Sequence, residues 1–293
     1  MEGIFNRIRD FYRRGNVLTK LLFVNVAVFL LIRLIYVAAM LFRADGLGEF
    51  TGYLQFPSLP AAFIRQPWSL LTYMFLHTDF LHILFNMLWL YWFGKIFLEF
   101  FSERHLGGIY VMGGIAGAAL FMLSYNVFPY FRDAGMVGML MGASASVMAI
   151  VFAAAFYRND YEINLLFIGR IKLIYLALFV MLLDLLSITS VNAGGHIAHL
   201  GGALFGILFA VRYRNGQDLT AAVNRLIDRI VNLFKPKPRM RVTYRRTETD
   251  MEYNARKKQE SDAIDAILDK LKRSGYDSLS NDEKKTLFNA GKQ

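Results

Sequence analysis

Three stretches of this chain, Gly107–Phe131, Ala134–Tyr157 and Leu185–Val211, contain no Asp, Glu, Lys or Arg. A membrane-crossing helix needs ~20 mostly apolar residues, so each stretch is long enough to span a bilayer. Three more qualify with a blemish. Val17–Phe42 carries Lys20 and Arg33, Phe80–Leu98 only Lys95 near its end, and Leu173–Val191 only Asp184. The pattern predicts an all-α, polytopic membrane protein of six transmembrane helices. It excludes an ordinary soluble globule, as does a composition of 55% hydrophobic and 19% charged residues against the ~25% charged residues usual in soluble domains. The absence of Cys removes disulfides, thiolate nucleophiles and Cys-ligated metal centres.

Cationic residues set the expected orientation. Arg7, Arg9, Arg13, Arg14 and Lys20 lie at the N-terminus, Lys95 and Arg104 after the second span, and Arg158, Arg170 and Lys172 after the fourth. The opposite loops hold only Arg43, Arg65 and Arg132, so both termini are expected on the cytoplasmic side. The N-terminal arginines precede a long apolar run with no small-residue cleavage site, which does not read as a cleavable signal peptide.

Three parts are expected: a membrane body over residues 1–216, an amphipathic helix and basic linker over 217–260, and a small helical cytoplasmic module over 261–293. Nineteen of the 33 Lys and Arg fall from Arg212 onward. In Gln217–Phe234, Leu219, Val223, Leu226, Ile230 and Phe234 recur at helical spacing. That helix is expected along the inner membrane surface, with Lys235, Lys237, Arg239, Arg241, Arg245 and Arg246 facing anionic headgroups. The same charges suit nucleic acid, but following a spanning helix they point to the lipid bilayer as partner. Beyond Pro236 and Pro238, Ser261–Arg273 and a helix opened by the capping box Ser280-x-x-Glu283 form the module. Its cytoplasmic partner is left open.

Polar groups at membrane depth are costly and mark function by default. His82 and Asn86 are four apart, hence on one helix face; they serve either as an interhelical hydrogen-bond pair or as two donors converging on one acceptor. Ala143–Tyr157 is only fifteen residues, ~22 Å of helix against a hydrocarbon core of ~30 Å. That helix must therefore begin below the surface, met by Gly-rich chain (Gly135, Gly138, Gly142). Ser144 then sits at its N-terminus, where unpaired N–H groups and the helix dipole favour negative charge; small residues there equally suit close packing. Gly202 and Gly206 form a small-xxx-small pair that brings a neighbour close to His199. Taken alone, His199 is a base, a metal ligand or a proton relay. His196 is expected as a wetted interfacial residue.

Together these residues offer a nucleophile, a base and an oxyanion hole. They resemble the rhomboid intramembrane serine proteases, whose signatures read here as His82-x-x-x-Asn86 on the second span, Gly142-Ala143-Ser144-Ala145 opening the fourth, and Ala198-His199-x-x-Gly202-x-x-x-Gly206 on the sixth. The resemblance covers residues 15 to 214. It implies a multi-pass protein of the bacterial inner membrane that cleaves transmembrane segments of other proteins and needs no metal or cofactor. Ser144 would be the nucleophile and His199 the general base, with the Ser144 N–H, His82 and Asn86 holding the oxyanion, and Gly142, Gly202 and Gly206 packing the helices. Asp184 is expected near the outer end of its helix and outside the chemistry, leaving a Ser–His dyad. Three positions depart from the pattern: Ala145 replaces a glycine and could crowd the oxyanion site, Ser69 replaces the arginine after Trp68, and Met148 stands where an aromatic often stacks on the base. Their other implication is a rhomboid-like factor that retains transmembrane clients without cleaving them.

Overall fold

The computed structural model describes residues 6, 9, 12, 14–43, 47–133, 137–166, 169–234 and 248–290. Two compact units divide the chain, Met1–Lys235 and Pro236–Gln293. The first is built on six apolar helices: α1 (Val17–Leu41), α2 (Phe80–Phe100), α3 (Glu103–Val127), α4 (Ser144–Tyr157), α5 (Leu173–Leu186) and α6 (Ala193–Arg214). Among the described residues, α1, α2, α3 and α6 are the helices long and apolar enough to cross a membrane by themselves. The helices α4 and α5 have 14 residues each, ~21 Å of rise. Side chains with a free acceptor start the first three. Asn16 Oδ1 takes the Thr19 N–H at 2.9 Å, Asp79 Oδ1 takes that of His82 at 3.0 Å, and Ser102 opens α3 in a capping box with His105.

The centre of the bundle is α4, buried at every residue from Ala145 to Ala155. Lipid offers no hydrophobic drive for helices to associate, so close packing must hold them. Glycines supply it. A Cβ on Gly202 of α6 would lie 2.0 Å from the Ala145 carbonyl oxygen, and one on Gly206 would lie 2.4 Å from that of Ala149. On α3, a Cβ at Gly113 would fall 2.3 Å from the Ala149 methyl. We expect Gly202→Ala to cost ~1–3 kcal/mol, since the obstacle is backbone and cannot swing aside. Thermal unfolding in detergent checks this; an unchanged midpoint would mean that α4 and α6 are not in backbone contact. The outward faces of α1 (Leu30, Leu31, Leu34) and α5 (Phe179, Leu182, Leu186) remain exposed, the apolar surface that a bilayer covers.

The fold is not wholly helical. Phe56–Pro57 pairs antiparallel with Met139–Leu140, and Glu162–Leu165 with Gly169–Lys172. The first ladder ties the loop before α2 to the chain that descends to α4. That loop is held without the missing arginine: Trp68 Nε1 donates to the Tyr53 carbonyl (2.9 Å), Gln66 Nε2 to that of Gln55 (3.0 Å) and Thr72 Oγ1 to that of Leu54 (2.8 Å).

After α6 the amphipathic segment forms α7 (Ala221–Phe234), starting later than Gln217 because Asp218 turns the chain by accepting from Thr220. Its amino-terminal end docks on α3, where a Cβ at Gly108 would meet Thr220 Cβ, just before the helix, at 2.5 Å and Asn224 Oδ1 at 2.9 Å, and Asp228 pairs with Arg104. Leu226, Ile230 and Leu233 stay exposed. In the second unit α8 spans Asp250–Ser274 and α9 Asn281–Ala290. The expected start at Ser261 is therefore too late. Thr249 and Glu252 form a capping box that carries the helix through the charged stretch. Ser280 and Glu283 cap α9 reciprocally, Ile267 and Leu279 are buried, and Lys270 pairs with Glu283 at 3.0 Å. The expected basic stretch Lys235 to Arg246, as well as Gly135, lies outside the described residues.

Candidate active site

Ser144 is the first residue of α4, and the first intrahelical bond runs from Val147 N to Ala143 O. The N–H groups of Ser144, Ala145 and Ser146 therefore have no carbonyl partner within their own helix. No side chain caps this end, which leaves its donors and positive dipole end for another acceptor. The turn before it needs glycine: Gly142 has φ +112°, and a Cβ there would strike the His82 ring at 2.8 Å. Gly142 thus lies ahead of the helix rather than on it, and it lets the His82 imidazole close over the Ser144 end. Asn86 is buried one turn further along α2, with one amide hydrogen donated to the His82 carbonyl at 2.9 Å.

Ser144, His199, His82 and Asn86 all line one cavity of ≈ 580 Å³, with Asp184, Met148, Phe85 and Val180 also on its wall. The motifs from three helices are therefore brought to one place. The Ala145 methyl does not crowd it. A Cβ added at Gly117 of α3 would lie 2.6 Å from that methyl, so Ala145 fills the space that this glycine leaves on the packed side. Ser146 is buried on α4 with no hydrogen-bond partner for its hydroxyl.

Two residues matter more than the sequence suggested. Asp184 was expected away from the chemistry, yet its Oδ1 lies 2.9 Å from His199 Nδ1 and 2.7 Å from His196 Nδ1. No acid shares His199's helix, but α5 delivers one across the turn. His196 is thus a partner of Asp184 rather than a freely wetted ring. Each of the three offers a ligand atom within 4.8 Å of the others, a set that could also hold a divalent cation.

His77 was missed. It is fully buried before α2, accepts the Ala143 N–H on Nε2 at 3.3 Å and meets the His82 ring edge-on at 5.1 Å. Burial, and then the facing His82, push it down to about 4, so it is a neutral acceptor. Tyr73 supports the same strand of chain, taking the Gly142 N–H on its carbonyl at 2.8 Å while its hydroxyl donates to Gly114 O at 2.6 Å. The only signal for His77 was a second histidine five residues before His82. That spacing has no helical meaning because α2 starts between them.

The family model of the rhomboid domain matches residues 64–215, and a family of unknown function (DUF6576) matches 247–292. RHOMBOID-like protein 12, mitochondrial, of Arabidopsis thaliana is 28% identical over 158 residues, 51% of this chain. The chain spans about half of that relative, 47% of its length.

Proposed function

The chain belongs to the rhomboid family, and on that footing we propose that it is a serine endopeptidase that cleaves transmembrane segments of other membrane proteins. The observation that carries this reading is the convergence of Ser144, His199, His82 and Asn86 on one cavity at an uncapped helix end. In the proposed reaction His199 takes the Ser144 proton as the hydroxyl attacks the scissile carbonyl, and later gives it to the leaving amine. The amide N–H of Ser144, His82 and Asn86 hold the oxyanion. We count α1 to α6 as six spans, the short α4 and α5 reaching only part of the depth. Its site is then fed by water from the face where α4 begins. We place the chain in the bacterial inner membrane, and the cationic loops support an orientation with both termini in the cytoplasm.

A serine-reactive fluorophosphonate probe tests the reading. It should label the wild type and spare Ser144→Ala. No labelling where a related protease labels would instead favour a client-retaining rhomboid without protease activity.

The second compact unit is proposed as an accessory. Among the described residues its helices bury few apolar side chains, Ile267 and Leu279 among them, and its charged stretch follows the membrane body in the sequence. Truncation after Arg246 should leave cleavage of a reporter within a few-fold of the full chain. Complete loss in a truncated protein that still inserts and folds would make this unit part of the enzyme.

A further inference from the structure

A buried acid in a helix reading Leu-Phe-Val-Met-Leu-Leu-Asp-Leu-Leu is expensive. Asp184 is 6% exposed, and the partners that reach it among the described residues are two imidazole nitrogens. An ionised carboxylate only accepts hydrogen bonds, so a neutral His199 facing it must carry its hydrogen on Nδ1. Its other nitrogen, Nε2, then keeps the lone pair that a general base requires. One turn along α6 from His199, the backbone at Gly202 meets that of α4 just after Ser144.

We propose that Asp184 is the positioning residue of the general base, so that this member of the family works with a Ser–His–Asp arrangement. The inference rests on reading Ser144 and His199 as nucleophile and base. Asp184 holds the Nδ1–H tautomer and ring orientation of His199. It also stabilises the imidazolium formed when the Ser144 proton arrives on Nε2. The proton passes from Ser144 Oγ to His199 Nε2 and on to the leaving amine; Asp184 stays ionised throughout. His196, bonded to the same oxygen at 2.7 Å, anchors the carboxylate, and its loss leaves the Asp184–His199 bond in place.

The test uses the full chain in detergent, with a chelator present to exclude cation binding by the three side chains. Asp184→Asn should lower kcat on a transmembrane reporter by ~10²–10⁴-fold with KM changed less than ~3-fold, Asp184→Glu should recover part of the loss, and His196→Ala, which loosens the carboxylate's anchor, should lower kcat less than Asp184→Asn does. Nitrogen NMR of histidine-labelled protein, with the His199 signal assigned by its loss in His199→Gln, should show the Nδ1–H tautomer in the wild type and the Nε2–H tautomer in Asp184→Asn. An unchanged kcat in Asp184→Asn overturns the proposal. So does an Nε2–H tautomer in the wild type, a result available even if the variant does not fold. A wild type that neither cleaves nor takes the fluorophosphonate would sink the protease reading itself. A cleaving wild type matched by Asp184→Asn sinks this inference alone.

Discussion

Ser144→Ala and His199→Ala are each expected to reduce cleavage of a transmembrane reporter by ~10⁴-fold or more. The two act as a unit, so the double variant should be no worse than either single one. Both should remain folded. Ser144 stands at the cavity end of α4 rather than in its packed core, and His199 is only partly buried. Ser146→Ala is the matched control. It removes a buried hydroxyl that bonds to nothing, from a residue whose side chain is packed within the bundle, and should change activity little. Reporter cleavage by purified variants, with gel filtration to verify folding, decides the matter. A dead Ser146 variant beside an active Ser144 variant would move the nucleophile by two residues and undo the assignment.

The second large effect belongs to His82 and Asn86. Removing one donor from an oxyanion site that has several typically costs ~10²–10³ in kcat, so His82→Ala and Asn86→Ala should each be slow but measurable. Their geometry separates them. The His82 ring lies against Gly142 at the amino end of α4, while Asn86 already spends one amide hydrogen on the His82 carbonyl and has a second left for a ligand. Rates equal to wild type in both variants, with folding intact, would leave the pair as interhelical glue.

How much of this was legible in the sequence depends on the range over which each feature is determined. The shortness of α4 followed from counting residues back from Tyr157, because helical rise and bilayer thickness are both fixed by covalent and lipid dimensions. The Ser144 position, the facing of His82 and Asn86, and the close approach at Gly202 and Gly206 are matters of helical period and side-chain size within one segment. The Ser280–Glu283 box was equally local. The Thr249–Glu252 box is just as local, but the charged stretch around it has the composition of a linker.

What the sequence could not carry is rotation and distance between segments. Asp184 lies 15 residues from His199 in the chain, and whether its helix turns that carboxylate towards His199 or towards lipid depends on how α5 packs, which no periodicity encodes. His77 acquires its role only because Ala143, 66 residues on, is folded back over it. The strand Met139–Leu140 exists only because Phe56–Pro57 comes to pair with it, since two residues have no strand propensity of their own to read. Local geometry placed Ser144, His199, His82 and Asn86 on their helices; tertiary packing alone brought Asp184 beside His199, because a hydrogen bond between helices depends on how each is rotated against the other.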